Sequence, residues 1–201
     1  MSLKMRNRGG FTLAEMLVVL AVLSLVGVLV VTIFTRTLRG SNKAQILSAI
    51  KQNGQSVLEI MDKSIRGADN LVCISEPDNN TIVLERGGTY QRFRFVIDFT
   101  GRTNGAVRQD TATPSAQESD PRLFINRVCG AGSIMEEPVS LSDTNTQTGV
   151  ALLSGSFKKS PQAGFKDVVT IEFVLGPPIE APKAVAGQID PVVFQTTIQL
   201  R

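Results

Sequence analysis

Glu15 is a lone carboxylate inside an otherwise apolar run, FTLAEMLVVLAVLSLVGVLVVTIF over residues 11–34. In hydrocarbon such a group costs several kcal/mol unless a cation pairs with it or a proton neutralises it. No basic side chain occurs between Arg8 and Arg36. Near a bilayer interface the cost falls, so Glu15 reads either as an interfacial acid or as one awaiting a partner. Cys73 and Cys129 are the only cysteines, and histidine is absent. These counts remove a Ser-His-Asp or Cys-His arrangement, His-ligated zinc, thiolate zinc fingers and iron–sulfur clusters. Asp143-Thr144-Asn145 and Asp78-Asn79-Asn80 offer oxygen ligands, but neither continues into a calcium loop with its central Gly and closing Glu. Lys158-Lys159-Ser160 reads as a polar loop rather than a buried base beside a nucleophile. No catalytic residue, cofactor or metal site is expected, and the chain does not read as an enzyme.

The element that carries Glu15 is a helix. Twenty-four residues at about 1.5 Å each span roughly 36 Å, enough for a hydrocarbon core of about 30 Å. Residues 16–31 are apolar on every side except at Ser24, where a surface helix would show a polar face. An ordinary secretory signal would have a shorter apolar stretch followed by a small-x-small site. Residues 32–39 (TIFTRTLR) offer none; the small-residue break, Gly9-Gly10, precedes the run instead. Cleavage there would discard Lys4, Arg6 and Arg8 and create a new α-amino group on Phe11. A neighbouring subunit's Phe11 amine could then reach Glu15 and set the register of helices packing side by side.

Arg8-Gly9-Gly10-Phe11-Thr12-Leu13-Ala14-Glu15-Met16-Leu17 resembles the class III N-terminal signature of type IV pilins and type II secretion pseudopilins. The resemblance implies cleavage between Gly10 and Phe11 by a prepilin peptidase and N-methylation of Phe11. It also implies that Glu15 steers insertion into a helical filament of other pilin subunits, served by an assembly platform. The leader would be cytoplasmic and the head exported, with the chain resting as a single pass in the cytoplasmic membrane before it enters an extracellular or periplasmic filament. Many major pilins have proline near position 32, where this chain has Thr32.

Residues 41–66 continue with helical periodicity, Ile46, Ile50, Val57, Ile60, Met61 and Ile65 forming a stripe with a gap around residues 52–55. Gly67 and Asp69-Asn70 read as the stop. Beyond, strands are expected at 71–75, 81–85, 90–99, 123–128, 150–153, 167–175 and 192–200, with long polar loops at 100–120, 137–149 and 176–190. In the third strand Phe93, Phe95, Ile97 and Phe99 face one way, and Tyr90, Arg92 and Arg94 the other. The fold class is α+β: an N-terminal helical spine packed against an antiparallel sheet, the pilin plan. The expected parts are a basic leader (1–10), a transmembrane or filament-core helix (11–35), its amphipathic continuation (36–66) and a β-rich head (67–201). In an exported head Cys73 and Cys129 are expected to pair.

Twenty-one basic side chains face 18 acidic ones, and the excess of three matches Lys4, Arg6 and Arg8 in the leader. Net charge is therefore no argument for nucleic acid. Arg86, Tyr90, Arg92, Arg94, Arg102 and Arg108 would form a DNA-binding patch if they shared a face, but Asp98 and Asp110 oppose it, and a solvated strand face is the plainer reading. The expected function is structural, a minor pilin in a type IV pilus. The closing FQTTIQLR resembles the last strand of heads of the J/W type. The alternatives are a type II secretion or competence pseudopilin, and, from another class, a single-pass membrane-anchored ligand-binding domain.

Overall fold

The computed structural model describes residues 11–112, 121–130, 138–160 and 166–200. Its elements are α1 (Leu13–Arg66), β1 (Asn70–Ile74), β2 (Thr81–Arg86), β3 (Thr89–Val96), β4 (Ala106–Ala112), α2 (Pro121–Cys129), β5 (Val139–Ser140), β6 (Ala151–Ser160), β7 (Val168–Gly176), α3 (Lys183–Ala186) and β8 (Val192–Gln199). The chain divides into two units, Met1–Asn42 and Lys43–Arg201.

In the first unit α1 has no covered face. Leu13, Leu25, Val28 and Phe34 are each more than 60% exposed, and none of the large apolar side chains between Met16 and Ile33 is less than 48% exposed. Ser24 donates to the Ala21 carbonyl and Thr32 to that of Val28, so these hydroxyls leave no unmet donor in the apolar run.

In the second unit α1 buries Ile50, Gly54, Val57, Met61 and Ile65, at spacings of three and four. The strands form two antiparallel sheets rather than one, ordered β1-β2-β3-β4-β5 and β6-β7-β8. Both contribute to one core, which also holds the α1 stripe. Phe95 stacks on Phe157 at 4.6 Å and lies 5.7 Å from Phe173, while Phe173 stacks on Phe194 at 5.3 Å. This aromatic row ties the two sheets together. The gap in the helical stripe has a cause: a Cβ on Gly54 would run into the Phe194 ring. Glycine lowers helix propensity there, and the aromatic contact uses the space.

Four expectations need correction. Residues 123–128 are helical, within α2, because Phe124 and Val128 stand four apart and are both buried. Pro121 opens α2 at the position where a missing N–H is harmless. Residues 100–120 include β4, residues 137–149 include β5, and residues 176–190 include α3. The third strand stops at Val96, leaving Phe99 91% exposed rather than in the core. Finally β6 continues to Ser160, so Lys158 and Lys159 lie on a strand, not in a loop.

Candidate functional site

The chemistry expected at the N-terminus falls on Gly10, Phe11 and Glu15. Gly10 lies outside the described residues. Phe11 is 79% exposed. At the start of α1, Thr12 and Glu15 form a reciprocal pair. The Thr12 N–H donates to Glu15 Oε2 at 2.9 Å, the Thr12 hydroxyl donates to the same oxygen at 3.0 Å, and the Glu15 N–H donates to Thr12 Oγ1 at 3.2 Å. This is a capping box, which satisfies otherwise orphaned N–H groups at a helix start. The Thr-x-x-Glu spacing signals it in the sequence, so Glu15 has a partner within its own chain. One Glu15 oxygen, Oε1, takes no part in the three bonds. The capping residues both lie after Gly10, so removal of residues 1–10 leaves the box whole.

In the head, Cys73 at β1 and Cys129 at the end of α2 are joined, their Cα atoms 6.2 Å apart, within the usual range for a disulfide. They sit beside a small second core of Val83, Phe124 and Val128, on the face of the five-stranded sheet away from α1. Because α2 covers that face, Arg92 is wholly buried rather than solvated. Its guanidinium grips Asp110 bidentately, with Nε 2.9 Å from Oδ1 and Nη2 on Oδ2, and Nη1 donates to the Val128 carbonyl at 3.2 Å. Gly130 O is 3.4 Å from Nη1. Arg92 thus holds the chain on both sides of Cys129. Sequence reading placed Arg92 on the correct strand face but missed what covers it; Asp110, opposite Arg92 in the β3–β4 register, was the available signal.

The basic patch loses its centre. Arg94 Nη2 reaches the same Asp110 at 3.6 Å, and burial together with the Arg92 charge pushes its pKa down. Only Arg86, Arg102 and Arg108 of the expected cations are exposed. Asp98 accepts from the N–H and hydroxyl groups of Thr100 and Thr103, which hold its carboxyl well below the usual carboxylate range. Asp143 and Asn145 accept backbone N–H groups of their own turn, as turn residues do. Among the described residues no group of three or more His, Cys, Asp or Glu side chains is placed to hold a metal ion.

Comparison with known proteins finds no match among curated proteins and none among solved structures. A family match exists at the N-terminus, over the residues that include the Thr12–Glu15 box and most of the exposed apolar helix. Residues 5–31 carry the prokaryotic N-terminal methylation motif, the class III signal of type IV pilins and pseudopilins.

Proposed function

We propose that this chain is a minor pilin, a structural subunit of a type IV pilus-like filament. Prepilin peptidase removes residues 1–10, and Phe11 is methylated at the new terminus. Residues 11–35 anchor the protein in the cytoplasmic membrane as a single pass, and the head is exported. The observation that carries this reading is the methylation motif running directly into a helical segment, Leu13 to Phe34, whose large apolar side chains are all uncovered. Such a surface requires an apolar environment, first lipid and then the equivalent helices of other subunits. The paired cysteines suit an exported head.

Assembly by side-by-side packing gives Glu15 two duties. Within the chain it caps α1, and across subunits its charge meets the Phe11 amine of a neighbour. The two duties separate experimentally. Gln at the third helical position still completes a capping box, whereas Ala does not. Glu15→Gln and Glu15→Ala should both insert and be cleaved, and both should be depleted from sheared filaments relative to the wild type. Wild-type incorporation of Glu15→Gln would show that only the cap matters and defeat the intersubunit pairing.

A further inference from the structure

The two sheets leave a cleft of about 470 Å³ beside the end of β3. β2 starts at Thr81, opposite Arg94, so the end of β3 runs past it. Asn80 prolongs the pairing by one bond, its carbonyl accepting the Phe95 N–H. Ile97 is the next residue to face that side, and neither its N–H nor its C=O has a backbone partner among the described residues. On the β6 side, Phe157 gives its N–H to the Asn79 carbonyl. Gly155, two residues earlier in the same register, therefore also directs its N–H and C=O away from β7. These too lack a backbone partner on that side among the described residues. Glycine is required there, because a Cβ would run into the Phe95 ring, which lines the cleft with it.

Three planar polar side chains line the same cleft, Asp78, Asn80 and Arg94. Asp78 is exposed, and its carboxylate takes part in no hydrogen bond or ion pair among the described residues. One end of the Asn80 amide is engaged, Oδ1 accepting from the hydroxyls of Ser75 and Thr81, and Nδ2 is its other end. Arg94 reaches Asp110 at 3.6 Å and keeps 23% of its side chain exposed. The walls are preformed. The Asn79 N–H donates to the Ser75 carbonyl and the Ser75 N–H to that of Thr81, which fixes the turn carrying Asp78. Phe99, also on the lining, stands almost wholly exposed. Its loop is held by Asp98, which accepts the Thr100 and Thr103 N–H groups.

We propose that this cleft binds a neutral pyranose sugar, with its hydroxyls on Asp78, Asn80, Arg94 and the open backbone groups, and its C–H face on the Phe99 ring. The size suits a small ligand, for which pockets run about 300–1,000 Å³. Asp78 and Arg94 supply one charge of each sign, so the lining carries no net charge to select an ion. A carboxylate, an amide and a guanidinium each present two polar atoms side by side, the arrangement that meets two neighbouring hydroxyls at once. A rigid exposed aromatic ring offers the apolar face that a pyranose ring needs on one side. An extended peptide is the poorer occupant. Strand addition needs a row of open backbone groups, and each edge here offers one residue. The Asp98–Gly101 turn follows Ile97, while Gly155 sits between the Leu153 bulge and the already bonded Phe157.

The test uses the full-length protein in phosphocholine micelles, which carry no sugar headgroup, with glucose, galactose, mannose and N-acetylglucosamine as probes. In an amide NMR titration at least one of them should give saturable shifts centred on Asn80, Ile97, Phe99 and Gly155. Sorbitol, which has the hydroxyls without the ring, should not. Phe99→Ala and Asp78→Ala should each weaken binding by about tenfold and keep the wild-type melting temperature, since both side chains are exposed. Phe99→Tyr keeps the aromatic face and should bind as the wild type does. Absence of saturable shifts with all four sugars, equal binding of sorbitol, or undiminished binding by Phe99→Ala overturns the proposal. Tighter binding of acetate, or of acetylated and amidated trialanine, would assign the cleft to an anion or a peptide and also overturn it. Every residue used lies in the unit Lys43–Arg201, and no readout depends on N-terminal cleavage or filament entry, so failure here and failure of the pilin reading are separate results.

Discussion

Asp110→Asn tests the buried clamp in the head. The substitution keeps the side chain's shape but removes the charge that Arg92 faces at 2.9 Å through Nε. Both partners are almost fully covered, with side-chain exposures of 0% and 5%. An exposed ion pair contributes at most about 1 kcal/mol, whereas stranding one member of a buried pair costs about 3–5 kcal/mol. For a unit of the size of Lys43–Arg201, each kcal/mol moves the melting temperature by about 2–4 °C, so the fall should be roughly 6–20 °C. The bond from Arg92 to the Val128 carbonyl softens the loss, placing it toward the lower end. The double variant Arg92→Met/Asp110→Leu removes both charges and should cost less than Asp110→Asn alone. Thermal melting of the oxidised protein followed by circular dichroism reads both. If Asp110→Asn melts within about 2 °C of the wild type, the clamp does not hold the head together.

Two further outcomes follow from the same region and its neighbouring loop. Reducing the Cys73–Cys129 bridge, which joins residues 56 apart, should cost about 4 kcal/mol in the chain-entropy account; an unchanged denaturation midpoint after reduction would contradict this. The Asp98 carboxylate has a depressed pKa in the folded chain and an ordinary value near 3.9 when unfolded. Its stabilisation of residues 98–103 is therefore complete above about pH 4 and declines as the pH falls further toward the depressed value. Amide protection at Thr100 and Thr103 should stay flat from neutral pH to about 4, and loss of protection by pH 5 would refute the assignment.

The helix was legible throughout because hydropathy and periodicity both mark it: all-round apolarity to Phe34, then the Ile50, Val57, Met61 and Ile65 stripe. β7 and β8 were legible from alternating large side chains, and β2 from its short continuous apolar run Ile82-Val83-Leu84. β4 was hidden because Val107 is its one large apolar residue, so the alternation has nothing to show. α2 was hidden because a run such as LFINRV suits strand or helix, and only the buried i, i+4 pair Phe124 and Val128 decides. Missing α2 meant missing the cover over Arg92, so a buried clamp looked like part of a basic surface. At the N-terminus the spacing of Gly10, Phe11 and Glu15 was legible, but the capping role of Thr12 was not drawn from it, although its Thr-x-x-Glu signal was present.

Processing after Gly10 tests the central claim most directly. The full chain, co-expressed with a prepilin peptidase and extracted from membranes, should show by intact-mass and terminal-peptide analysis the loss of residues 1–10 and a methyl group on the Phe11 amine. Recovery of the chain with Met1–Gly10 still attached, despite active peptidase, would contradict the filament account.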